Sequence, residues 1–309
     1  VSRARTAVEA FGLPFSNPLV LAAGTAAYGR ELDDVMDLRA VGGLVTKAVS
    51  PEERVGAPAP RVADFDGGMI NAIGLANPGV AGVLANDLPW LAAHRGPLRV
   101  FVNVVGKVLE DFPTVIAALD TAPGYDGFEL NVSCPNVKAG GLEFGADRAV
   151  LRDLVTRARA VTSKPLFVKL SPTLPDVAGT AEVAVEAGAS GITVVNTIPG
   201  LVIDVARRRP MLGFGTGGVS GAALLPVGVL ATWKVSRAVS VPVMGVGGVA
   251  SASDALQYLL AGATLVGIGT AALADPKRPA RIARDLARWC DREGIASLEA
   301  VIGRLEWPR

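Results

Sequence analysis

The sequence predicts an α/β protein, a (β/α)8 barrel of the TIM type with inserted loops and strands over its C-terminal mouth, on three observations. The composition is 50% hydrophobic but only 5% aromatic, so the apolar mass is Ala, Val and Leu, the residues that fill parallel strands and the helices covering them. Short runs rich in Val, Leu and Ile alternate with longer stretches of helical period, the signature of repeated βα units, and about eight such pairs can be counted. Two connections, Val49–Asn77 and Thr197–Gly221, are too long to be plain turns. Both follow strand C-termini, where barrels carry their sites, so they read as a lid or floor over a substrate. No linker, repeat or low-complexity segment interrupts the pattern, which makes residues 1–309 one domain.

Taken in order, the strands are expected at Leu19–Ala22, Leu44–Lys47, Arg99–Val104, Gly127–Asn131, Leu166–Leu170, Ile192–Asn196, Val243–Val246 and Leu265–Gly267, each followed by a helical stretch. The clearest helix spans about Asp147 to Thr162, with Val150, Leu151, Leu154, Val155, Ala158 and Val161 on one face and arginines on the other. Ser251 and Asp254 form a capping-box pattern at the start of the next to last helix, and Asp275-Pro-Lys reads as the start of the last. The longest uncharged run, Ala255 to Ala274, contains Gln257, Gly262, Gly267 and Gly269, and predicts an amphipathic helix followed by a buried strand rather than a membrane span.

Thirty Lys and Arg balance 29 Asp and Glu, a net charge of +1, which leaves no surplus to neutralise a nucleic acid backbone or an anionic membrane. Two cysteines cannot build a disulfide framework and the N-terminus has no apolar signal segment, so the cytoplasm is the expected compartment.

The fourth strand breaks into a polar loop, Asn131-Val-Ser-Cys134-Pro-Asn136-Val-Lys138-Ala-Gly-Gly141, which puts Cys134 on a glycine-rich connection at the active end of a barrel. Cys290, on a helix, reads as a core residue, and the lone His94 as structural. Lys47 and Lys169 occur in otherwise apolar strands, where an ammonium needs an anion or an electron-rich ring beside it. Asn71, Asn103, Asn131 and Asn196 recur at strand ends; uncharged amides suit the imide and amide edges of a flat heterocycle. Three glycine-rich turns close the barrel, at Thr216–Gly221, Gly245–Gly248 and Gly267–Thr270, and the last two follow strands seven and eight, where backbone N–H groups commonly cradle a phosphate.

Together Lys47-Ala48, Asn71-Ala72-Ile73-Gly74-Leu75, Asn131-Val-Ser-Cys134-Pro-Asn136, Asn196-Thr197 and Thr216-Gly-Gly-Val-Ser-Gly221 resemble the class 1 dihydroorotate dehydrogenases, over about Asn17 to Thr270. Met69–Gly79 and Cys134–Gly141 look like the type 1B catalytic subunit. The resemblance implies FMN as cofactor. Its phosphate falls to Gly221, Gly247, Gly248, Gly269 and Thr270, and its ring to Lys47, Ala48, Asn103, Asn131, Lys169 and Val195, with a backbone contact from Ala23. Dihydroorotate would be held by Lys47, Asn71, the Ala72–Leu75 backbone, Asn131, Asn196 and Thr197; no residue is assigned to a metal.

The implied chemistry is oxidation of (S)-dihydroorotate to orotate in de novo pyrimidine biosynthesis, with hydride passing from C6 to flavin N5 and the C5 proton to Cys134 as catalytic base. Class 2 members use serine and carry an N-terminal membrane-binding extension, and this chain shows neither. The type 1B resemblance implies a homodimer core joined to a subunit with FAD and a [2Fe–2S] cluster that reduces NAD. The chain itself, with two cysteines and no dinucleotide fingerprint, has no means to ligate that cluster. A fumarate-using type 1A enzyme and a dihydropyrimidine dehydrogenase-like enzyme remain alternatives on the same flavin barrel. A dihydrouridine synthase-like barrel also uses a cysteine, but the balanced charge argues against an RNA substrate.

Overall fold

A computed structural model describes residues 6–133 and 143–308. The strands in chain order are β1 (Val8–Ala10), β2 (Leu13–Phe15), β3 (Leu19–Leu21), β4 (Gly43–Val45), β5 (Val62–Phe65), β6 (Gly68–Asn71), β7 (Arg99–Val104) and β8 (Gly127–Asn131). They continue as β9 (Leu166–Leu170), β10 (Gly191–Val194), β11 (Ile198–Gly200), β12 (Ile203–Asp204), β13 (Arg209–Pro210), β14 (Gly217–Ser220), β15 (Val243–Val246) and β16 (Leu265–Ile268). Strands β3, β4, β7, β8, β9, β10, β15 and β16 close into a parallel barrel in sequence order. Each is flanked by apolar neighbours that are buried on both faces, as a parallel barrel inside a helical ring requires.

The predicted βα succession matches the observed one, with differences at the ends. The helix Arg148–Ala160 is capped by Asp147, whose carboxylate accepts from the N–H groups of Ala149 and Val150, and it buries Leu151, Leu154, Val155 and Ala158. The crossover after β3 contains only the single turn Arg30–Asp33 and the 3-10 turn Leu38–Ala40. The last helix, Arg278–Glu293, starts later than Asp275-Pro-Lys suggests: Asp275 instead ends the short helix Thr270–Ala274, and Pro279 occupies the first turn. The uncharged run resolves into the helix Ala252–Leu260 and strand β16, and among the described residues no helix is long and apolar enough to cross a membrane.

The two ends of the barrel differ in chemistry. At the N-terminal end the hairpin β1–β2 presents Phe11 and Phe15, which meet Phe101 and Phe167 from inside β7 and β9; the Phe11–Phe167 and Phe101–Phe167 ring centroids are 4.3 and 4.9 Å apart, edge to face. This aromatic plug makes the bottom dry. At the other end the two long insertions pair with each other in one antiparallel sheet, ordered β11-β14-β6-β5, with Asn71 opposite Gly218 and Ile70 opposite Val219. That sheet roofs the mouth.

Candidate active site

Between the barrel mouth and this roof lies a cavity of about 810 Å3, toward the upper end of the range for small-molecule sites. Its floor is polar because inward-facing positions near the ends of β7, β8 and β9 carry amides and a cation. Lys169, within β9, is 7% exposed, and Lys47 sits two residues beyond β4 with its backbone N–H bonded to the Ala27 carbonyl at 2.7 Å. Among the described residues neither ammonium has an ion-pair or hydrogen-bond partner. An uncompensated buried charge costs several kcal/mol, so this floor is built to receive an anion or an electron-rich ring.

Asn103, 1% exposed, donates from Nδ2 to Glu129 Oε1 at 2.7 Å, and Thr193 donates from Oγ1 to Glu129 Oε2 at 2.8 Å. Asn196 donates from Nδ2 to Asn131 Oδ1 at 3.2 Å while its own Oδ1 accepts from the Thr197 N–H at 2.9 Å, so three polar groups are held in a fixed row. From the roof, Asn71 Nδ2 reaches the Gly218 carbonyl at 3.3 Å. Gly218 is a close-approach glycine: a Cβ there would collide with the Thr197 side chain.

The remaining wall is the glycine cradle. Gly221 and Gly248 have φ of 100° and 72°, and a Cβ on either would lie 2.6 Å from the chain's own backbone, at Gly68 Cα and Leu225 N respectively. Packing alone demands glycine at both. Gly269 is different, because its φ is −112° and a Cβ would meet nothing nearer than Thr25 Oγ1 at 3.8 Å. The space that this methyl would take belongs to the cavity. Thr270 Oγ1 donates to Ser220 Oγ at 2.8 Å and ties the end of β16 to the roof. Below, Tyr258 donates its hydroxyl to the Gly247 carbonyl at 2.7 Å; burial, aided by the charge of Asp254, pushes this phenol well above its usual range.

Ala23, Lys47, Ala48, Asn71, Ala72, Ile73, Gly74, Leu75, Asn103 and Asn131 line this one cavity, as do Lys169, Val195, Asn196, Thr197, Gly221, Gly247, Gly248, Gly269 and Thr270. These are the residues that the sequence singles out for cofactor and substrate, Cys134 apart. Cys134 lies outside the described residues; among those described, the neighbouring Ser133, which lines the cavity, has a buried hydroxyl with no hydrogen-bond partner. Lys47 and Asn196 were expected inside strands and instead follow them by two residues, since β4 and β10 leave the ladder where the barrel mouth opens. His94 stacks on Trp90 away from the cavity, and Cys290 is buried in the last helix.

A family model described as dihydroorotate dehydrogenase matches residues 5–289. The chain belongs to the dihydroorotate dehydrogenase family. Similar proteins include the dihydroorotate dehydrogenase B (NAD(+)) catalytic subunit of Pelobacter propionicus, 43% identical over 299 residues, covering 97% of this chain and 98% of that one. The protein of the same name from Geobacter sp. strain M21 is 41% identical over 306 residues, 99% of this chain and all of its own. A Solibacter usitatus protein, provisionally named dihydroorotate dehydrogenase A (fumarate), is 44% identical over 296 residues, 96% and 97% of the two chains. As a member of the dihydroorotate dehydrogenase family the chain is an oxidoreductase, and the family is flavin-dependent. Within this family setting, Glu129, Thr193, Thr25 and Tyr258 are among the polar groups around the cavity that sequence reasoning passed over. Glu129 carries a readable signal, a carboxylate two residues before Asn131 and so on the same strand face. Tyr258 carries none, because its contact with Gly247 depends on how a helix packs.

Proposed function

We propose that this chain is a type 1B catalytic subunit that oxidises (S)-dihydroorotate to orotate in pyrimidine biosynthesis, with FMN held in the roofed cavity and Cys134 as base. The observation that carries the reading is one cavity lined by two lysines with no ion-pair partner among the described residues, a row of oriented amides and a glycine cradle. The residues fit FMN: the open position above Gly269 suits the approach of a phosphate to backbone N–H groups, and Lys47 and Lys169 suit an electron-rich ring. When bound, FMN supplies the acceptor for the hydride from C6.

The chain's own residues do the rest. Asn71, Asn131, Asn196 and Thr197 fix the heterocycle through amide and backbone groups, and Lys47 neutralises its carboxylate. Cys134, three residues after the end of β8 in the sequence, takes the C5 proton. The roof of β5, β6, β11 and β14 keeps water from the reacting carbons. Electrons leave toward NAD through a partner carrying FAD and a [2Fe–2S] cluster, consistent with the words "catalytic subunit" in the names of relatives. The unit is a homodimer core of one-domain chains, working in the cytoplasm.

Anaerobic mixing with dihydroorotate, followed by flavin absorbance, tests cofactor and substrate together: bleaching is expected. Cys134→Ala should retain FMN and slow that bleaching by at least about 10²-fold, the usual size of general base catalysis. Bleaching at the native rate would remove Cys134 from the role. The 44% identity to the Solibacter protein favours the fumarate-using type as second reading, and fumarate turnover by the isolated chain would select it.

A further inference from the structure

Beneath the floor sits a buried carboxylate that the proposed mechanism does not use. Glu129 is 1% exposed, does not line the cavity, and lies beside Asn103 in the β7–β8 register. Its two oxygens accept from Asn103 Nδ2 at 2.7 Å and Thr193 Oγ1 at 2.8 Å. Both carboxylate oxygens thus act as acceptors, and the amide edge facing them is the NH2 of Asn103. The other edge, Asn103 Oδ1, has no hydrogen bond among the described residues and belongs to a residue that lines the cavity. Asparagine alone is ambiguous toward a ligand, since either edge of the amide can turn to it. Glu129 removes the ambiguity. A glutamine there would donate as well as accept, and Asn103 would no longer have one orientation.

We propose that Glu129 is a positioning residue for the flavin: it pins Asn103 so that the floor offers a hydrogen-bond acceptor to a ring N–H, and it sets a carboxylate charge behind Asn103. With the donor-only ammoniums of Lys47 and Lys169 in the same cavity, the wall then holds both kinds of partner that an imide edge of alternating C=O and N–H requires. The inference rests on the FMN reading above and adds to it a residue that touches neither ligand. It also predicts a sign. Removing a negative charge near the ring favours its reduced, more anionic form, so the midpoint potential should rise.

The test is FMN titration of the apoprotein and potentiometry of the loaded protein for wild type, Glu129→Gln, Asn103→Ala and the double variant. Glu129→Gln should bind FMN about tenfold more weakly, and its reduced-to-oxidised ratio at fixed poise should rise about tenfold, or about 30 mV for a two-electron couple. In the Asn103→Ala background the same change should alter affinity less than about twofold, the coupling expected of residues acting as a unit. Native affinity in Glu129→Gln, or full additivity in the double variant, overturns the proposal. Should Glu129→Gln melt below the assay temperature, Glu129→Asp decides: it keeps the charge but draws back from Asn103, so affinity should fall about tenfold at nearly unchanged potential, and native affinity overturns the idea. A wild-type chain that takes up no FMN fails at the first titration, which brings down the flavin reading and this proposal together and is distinct from failure in the variants alone.

Discussion

At Gly269 a single methyl group separates two explanations for a glycine. Because the chain leaves that position open, Gly269→Ala should fold with a stability change below about 0.5 kcal/mol, as for substitutions away from packed features. Its FMN affinity should fall at least about tenfold, a difference of about 1.4 kcal/mol; native affinity in the folded variant would place the phosphate elsewhere. A side chain at Gly248 would confuse the two effects, because it meets Leu225 first. Lys169 offers the complementary experiment. Lys169→Met should abolish FMN binding yet raise the melting temperature of the apoprotein, since a cation buried to 7% exposure, with no partner among the described residues, is replaced by a side chain of similar volume. A lower apoprotein melting temperature would mean that the ammonium is satisfied within the fold. The lysines, asparagines and cradle glycines were legible in the sequence because each breaks an apolar run with a residue the core has no use for. Glu129 was passed over despite its two-residue spacing from Asn131, since one acidic residue in Gly-Phe-Glu-Leu-Asn looks like the solvent side of an alternating strand until the neighbouring strands are known to close around it.

Among elements, the roof was legible as two over-long connections but not as one sheet, because nothing local in Val62–Asn71 announces that its partner is Gly217–Ser220. Gly218→Val should force β14 off Thr197 and loosen the roof while leaving the cradle intact. Steady-state kinetics should then show a KM for dihydroorotate raised more than tenfold and an FMN affinity close to native; equal losses in both would mean that the roof also holds the flavin. On the opposite wall, Tyr258→Phe removes the hydroxyl that holds Gly247 from below and should cost about 1 kcal/mol of stability. Strand positions were readable to within one or two residues because buried parallel strands are nearly continuous apolar runs. Helix starts were less so: Pro276 and Pro279 both satisfy a first-turn rule, and only the chain's path after β16 decides for the second.

For the whole molecule, three buried phenols set an alkaline limit. Burial is the largest cause that raises Tyr28, Tyr125 and Tyr258, each helped by a nearby carboxylate, so all three are held neutral in the fold. Their contribution is complete below the ordinary tyrosine value near pH 10 and is lost as pH climbs past it toward the folded values. Melting temperatures measured from pH 8 to pH 11 should fall steeply above about pH 10, and less steeply in Tyr258→Phe; an unchanged slope would show that this phenol ionises without strain on the fold. The isolated chain should pass electrons from dihydroorotate to an artificial acceptor far faster than to NAD, and equal rates would dispose of the electron-transfer partner. The pairing of Asn71 with Gly218 spans 147 residues, with four barrel strands between them in the chain. Long-range pairings of this kind form late, after the loop they close has been shortened by other structure. In refolding, the barrel should therefore acquire its helical signal and its aromatic plug before it acquires a roof, and the ability to retain dihydroorotate should be the last property to return.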